Sequence, residues 1–160
     1  MKAQAAKAIA TVVVVLSIFA TFPVSLAQDH TASYQLLDKQ GQNAGYTLNL
    51  VIPETLRQYY QEKNHQLYKL ADFTKFVTPY AVQPVADCLK QIYPDDEAFV
   101  NGVLMIVHQM EYVETRSGKY PAETFVDSKG DCDIFSYVAA SIIIAGGIKV
   151  VLLDYEEENH

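Results

Sequence analysis

The run from Ile134 to Ala145 carries no charged residue, and Ile134, Phe135, Val138, Ala139, Ile142, Ile143 and Ile144 leave it almost no polar face. A helix with that pattern has to be buried on several sides. Whatever this chain folds into is therefore built around that segment. Gly146-Gly147 ends it, and Ser128-Lys129-Gly130-Asp131-Cys132-Asp133 leads into it. The glycine-containing turn places one thiol, Cys132, in the first turn of the central helix.

That position has chemical consequences. The first N–H groups of a helix lack partners and the helix dipole is positive there, so both favour thiolate over thiol. Thiolate is the nucleophilic form of cysteine. Asp131 is expected to be the N-cap and Asp133 a first-turn partner of the dipole. Their negative charge acts against thiolate, and an imidazolium would have to offset it. His160, 28 residues further on, is the candidate base. The competing reading is an inert cysteine at a helix start and a C-terminal histidine in solvent.

At 160 residues the default is one domain, and half of the residues are apolar, enough for a real core. The net charge is −7 and no Lys/Arg cluster is present, so nucleic-acid binding by a basic patch is not expected. Lys2 and Lys7, the apolar stretch Ala8 to Phe22 and the small residues Ser25-Leu26-Ala27 have the form of a secretory signal over residues 1–27. The alternative is an uncleaved anchor helix, the only route by which a membrane enters this reading. Export makes a disulfide between Cys88 and Cys132, the two cysteines, an open alternative to a reactive thiol.

Residues 28–44 read as a loose lead-in. Tyr46, Leu48, Leu50 and Ile52 alternate with their neighbours, which predicts a strand, and Pro53 opens a short helix over Glu54 to about Lys63. Val82, Val85, Ala86, Leu89 and Ile92 predict one amphipathic helix, ended by Pro94. Phe99, Val100, Val103, Leu104, Val107 and Met110 predict a second, with Asp95, Asp96 and Glu97 at its start. Gln109 to Thr124 reads as a connector, Lys149 to Leu153 as an inner strand, and Asp154 to Asn159 as a polar turn.

Tyr120-Pro121-Ala122-Glu123-Thr124-Phe125, then Gly130-Asp131-Cys132-Asp133, then an apolar helix ending at Ala145-Gly146-Gly147, a Val-rich strand and a histidine resemble the transglutaminase-like superfamily, most closely its exported prokaryotic branch. The resemblance covers Ala98 to His160. It implies an α+β fold with a papain-like core, in which the helix opened by Cys132 packs on an antiparallel sheet and is preceded by amphipathic helices. It implies an N-terminal extension over 28–95 and a catalytic core over 96–160. It implies Cys132 as nucleophile and His160 as general base. The family's third residue, an Asp or Asn on a following strand, has no position here, so the chain looks truncated. Transglutaminases proper often use a Trp at the oxyanion; this chain has none, which leaves Tyr112 or Tyr120 as substitutes.

Other residues carry less. Glu123 either anchors its loop near the Cys132 helix or is a solvated loop acid. His108 reads as a core or boundary histidine, and His30 and His65 as surface residues. One cysteine and one distant histidine do not make a zinc site, and no metal or other cofactor is expected. The eleven tyrosines, Tyr59-Tyr60 among them, are expected mainly in core and boundary packing rather than in a sugar- or peptide-binding surface. Two functions follow. The first is an exported thiol enzyme acting on peptide or protein amides, for which the resemblance favours hydrolysis and the residues themselves leave transfer to an amine open. The second is a non-catalytic exported module of the same fold. A redox role for Cys88 and Cys132 is the third, weaker reading.

Overall fold

A computed structural model describes residues 28–37 and 44–153. Two antiparallel strands come first, β1 (His30–Leu37) and β2 (Ala44–Ile52). Helix α1 (Glu54–Gln61) and a 3-10 helix (Leu70–Phe76) follow, then α2 (Pro79–Ile92) and α3 (Asp96–Val107). A two-residue strand β3 (Glu111–Tyr112), helix α4 (Pro121–Asp127) and a second short strand β4 (Lys129–Gly130) lead into α5 (Cys132–Ala145). Strands β3 and β4 pair in parallel. The fold class is α+β, as expected.

Helix α5 is the hub. Its main partner is α2, with α3 and α4 also against it. Ile134, Val138 and Ile142 are fully buried, each contributing roughly 1.5–3 kcal/mol of burial free energy. Ser141, a polar residue on the buried side, accepts the Thr78 N–H at 2.9 Å and donates to the Tyr137 carbonyl at 2.7 Å. It thereby ties the start of α2 to the middle of α5. Gly147 closes the helix with φ of +86°, a left-handed conformation that favours glycine.

Periodicity located α2 and α3 correctly. Pro79 opens α2, where its missing N–H costs nothing. Asp95 caps α3, accepting the N–H groups of Glu97 and Ala98 at 3.0 and 3.1 Å. The main core joins Tyr34, Leu36 and Leu48 to Leu89, Phe99, Val103, Val138 and Ile142. Residues on both sides of the expected 95/96 boundary thus share one core. A second cluster, Phe76, Tyr120, Ile134 and Tyr137, lies beneath the first turn of α5. The ring centroids of Phe76 stand 4.8 Å from Tyr120 and 5.2 Å from Tyr137. Gly118 lets this cluster close, since a Cβ there would sit 2.2 Å from the Phe76 ring.

Several expectations are corrected. Residues 30–37 of the loose lead-in form β1, with Tyr34 and Leu36 buried on its inner face. Part of the connector over 109–124 is β3 and the start of α4. The inner strand over 149–153 is not formed: no described residue lies beside it as a ladder partner, and Val151 and Leu153 are 80% and 71% exposed. Among the described residues the antiparallel sheet is the two-stranded β1–β2 pair, which shares the main core with α5. α5 rests chiefly on helices, and the β1–β2 pair lies against α3 and α4. His108 is exposed at the end of α3 rather than in the core or at its boundary. The signal over 1–27 and the turn over 154–159 lie outside the described residues.

Glu54 fastens the hairpin to α1. Its carboxylate takes two hydrogen bonds from Arg57, at 2.5 Å each, one from Gln58 at 2.8 Å, and faces His30 Nε2 at 2.7 Å. The Arg57 hydrogen bonds, then that of His30, bring its pKa from an ordinary 4.5 to about 2. A depressed carboxylate stabilises the fold fully above its unfolded pKa, and that stabilisation is lost as pH falls through the folded value. Wild type is therefore expected to lose stability between pH 4.5 and about 2, and Glu54→Gln to flatten that slope, as read by urea unfolding at stepped pH. In the second cluster, Phe76→Ala is expected to cost about 3–5 kcal/mol, read as a lower urea midpoint at unchanged m-value.

Candidate active site

Asp131 organises the start of α5. Its Oδ1 accepts the Ile134 N–H at 3.1 Å, the N-cap bond expected of it. Its Oδ2 accepts the Thr115 N–H at 3.1 Å and the Thr115 hydroxyl. One carboxylate thus caps the helix and pins the segment that follows β3. Pairing of β3 with β4 brings Tyr112 beside Gly130, and the Val113 N–H donates to the Gly130 carbonyl at 2.8 Å. Gly130 has no room for a side chain: a Cβ would lie 2.5 Å from Ile134 Cγ2.

Cys132 follows and is exposed, with a free thiol. Cys88, also free, packs against the main core, so no disulfide joins them. Burial of the sulfur pushes the Cys132 thiol pKa up, and the charges of Asp133 and Asp131 push it further. The backbone N–H groups of Asp133 and Cys132 act the other way. Helix-start stabilisation of thiolate is therefore present, but desolvation and the acidic neighbours outweigh it. Tyr112, 58% exposed, belongs to the same field. Its hydroxyl pKa is raised by burial first, then by Cys132, Glu114, Asp131 and Asp133.

A cavity of about 720 Å³ borders the start of α5 through Asp133, the residue after Cys132. Ala71, Phe73 and Thr74 of the 3-10 helix form one wall, Asp133, Ser136 and Tyr137 of α5 another, and Val151 to Leu153 a third. It is mainly apolar, with the carboxylate of Asp133 and the hydroxyl of Ser136 as polar features.

Tyr120 and Glu123 form a separate group at the start of α4. Glu123 is 8% exposed. Its Oε2 accepts the Tyr120 N–H at 3.0 Å and meets His65 Nε2 at 2.8 Å. The other ring nitrogen of His65 meets the Lys63 carbonyl at 2.7 Å. Glu123 is thus an anchor and not a solvated acid, and His65 is partly buried rather than a surface residue. Tyr120 is 6% exposed, its ring packs in the aromatic cluster, and its hydroxyl donates to the Asn64 carbonyl at 3.4 Å. Of the two tyrosines proposed at the oxyanion, only Tyr112 has its charge field in common with the thiol.

The structure brings Cys132, Asp131 and Asp133 together, and separately Tyr120 and Glu123. The position of His160 lies outside the described residues. Sequence reading missed His65, 58 residues from Glu123, and Thr115. Nothing local marks His65, whereas the glutamate three residues into α4 is itself a capping pattern. Among the described residues no group of three or more His, Cys, Asp or Glu side chains is arranged to hold a metal ion, and no helix is long and apolar enough to cross a membrane. No family model, no curated protein and no solved structure matches the chain.

Removing the Asp133 charge removes a cause of the raised thiol pKa, so more thiolate exists at any fixed pH. Asp133→Asn is expected to speed alkylation of Cys132 by iodoacetamide several-fold at pH 7, measured by mass spectrometry in a Cys88→Ser background. An unchanged rate would show that the Asp133 charge does not set the thiol, leaving burial and Asp131.

Proposed function

We propose that this chain is an exported, transglutaminase-like thiol acyl-transfer unit with a papain-like core, acting on peptide or protein amides of the cell envelope. The observation that supports it is the placing of Cys132: an exposed residue in the first turn of a buried helix, its partly desolvated sulfur faced by the N–H groups of residues 132 and 133. In this reading the Cys132 thiolate attacks the amide carbonyl carbon while the imidazole of His160 takes the thiol proton. The Cys132 backbone N–H helps to hold the oxyanion. Collapse of the tetrahedral intermediate expels the amine, which receives that proton, and leaves a thioester. Water then releases the acid and frees the thiol. Asp131 holds the helix start in place and takes no chemical step.

The raised thiol pKa gives the second reading its support. Where burial and two carboxylates disfavour thiolate, the nucleophile is weak unless a cation is brought beside it. A chain that never supplies that cation keeps the fold as a binding module.

Alkylation by iodoacetamide between pH 5 and pH 9 separates them, in wild type, Cys88→Ser and His160→Ala. A thiolate–imidazolium pair is expected to react fast well below the ordinary thiol pKa of about 8.5, and to lose that fast reaction in His160→Ala. A profile that tracks an ordinary thiol and is unchanged by His160→Ala would sink the enzymatic reading.

A further inference from the structure

The two outer edges of the β1–β2 pair are treated differently. On β1, the Gln35 N–H donates to Gln109 Oε1 and the Gln35 carbonyl accepts from Gln109 Nε2, both at 2.8 Å. One side-chain amide thus stands where the peptide group of a neighbouring strand would be. It also fixes the phase of the ladder. Gln35 faces away from β2, so its partner Thr47 faces away from β1, and in an antiparallel ladder the same holds for Asn49 and Val51. The side-chain bonds Ser33–Asn49 and Gln35–Thr47 join those same pairs. The N–H and C=O groups of Thr47, Asn49 and Val51 therefore point outward from β2. Among the described residues no strand and no further backbone hydrogen bond reaches them.

Nothing on this edge repels an incoming strand. From Ala44 to Ile52 there is no charged residue and no proline, although the chain carries a net charge of −7; edges closed to strand addition carry such residues. Directly beside it lies an apolar cavity of about 260 Å³, lined by Leu48 and Leu50 on β2, Val82, Val85 and Cys88 on α2, and Phe125. A strand added at the usual spacing of about 4.8 Å would direct every second side chain toward that cavity.

We propose that the free edge of β2 and the groove between β2 and α2 dock an extended peptide strand, apolar at alternate positions and positively charged at its ends. The outward donors and acceptors, two residues apart, match an extended backbone. The apolar groove takes the inward side chains. The surplus of negative charge on the chain favours cationic flanks. A second copy of the chain is a poorer occupant, because pairing β2 with β2 would bring a second α2 to the same groove.

The test uses a nine-residue acetylated peptide of alternating valine and threonine with a lysine at each end. Amide hydrogen exchange of the isotopically labelled chain is followed with and without it. Exchange at Thr47, Asn49 and Val51 is expected to slow about ten-fold, with Leu48 and Leu50, already in the ladder, unchanged. Asn49→Pro removes one outward N–H that has no backbone partner in the fold, along with the exposed Ser33–Asn49 side-chain bond, and is expected to abolish binding of the labelled peptide in anisotropy while the chain still melts cooperatively. Should Asn49→Pro unfold the chain, Val51→Lys at the same edge is expected to give the same loss. Absence of protection at the three amides overturns the proposal. So does their protection without peptide, rising with protein concentration alongside a dimer in sedimentation, which would assign the edge to a second copy.

Discussion

Two carboxylate oxygens on Asp131 hold the candidate site together. One satisfies a helix N–H that has no partner within α5, and the other captures the backbone and hydroxyl of Thr115. The position of Cys132 in space is a result of both bonds, because the residue lies one step beyond the cap. The same carboxylate raises the thiol pKa. Placement and activation are thus opposed in a single side chain. The group that positions the sulfur also works against its ionisation, and reactivity has to come from a positive charge brought to it.

The second opposition is between burial and access. Helix α5 is packed from several directions and rests on an aromatic cluster, yet its first turn carries an exposed cysteine, and the next residue, Asp133, lines a large cavity. A rigid helix with one exposed end is a precise way to aim a small side chain. Phe76, Tyr120 and Tyr137 supply that rigidity from elements far apart in sequence, and Gly118 leaves the room in which they meet.

What the sequence made legible was local. The cap at Asp131, the cap at Asp95, the left-handed turn at Gly147 and the apolar periods of α2 and α3 are each specified within a few residues. What it hid was either short or distant. Strand β1 carries only two buried apolar residues on its inner face, Tyr34 and Leu36, and takes its identity from pairing with β2. Helix α4 has seven residues, too few to show a period. The His65–Glu123 pair joins positions with no local signal between them. Lys149 to Leu153 erred in the other direction, since valine and leucine favour a strand only where a partner strand is at hand. For the site, the nucleophile's surroundings were readable and their balance was not: the sum of dipole, burial and carboxylate charge depends on distances.

The seam between α2 and α5 bears on how the chain reaches its folded state. The β1–β2 hairpin and the Asp95 cap close over short stretches of chain and can form early. α2 finds its chief partner in α5, some fifty residues later in the sequence. During synthesis the apolar faces of α2 and α3 stay uncovered until α5 arrives. That interval is when aggregation competes with folding. A core organised around a helix that follows its partners in sequence is therefore open to chaperone capture until that helix arrives, and its yield depends on how quickly it follows.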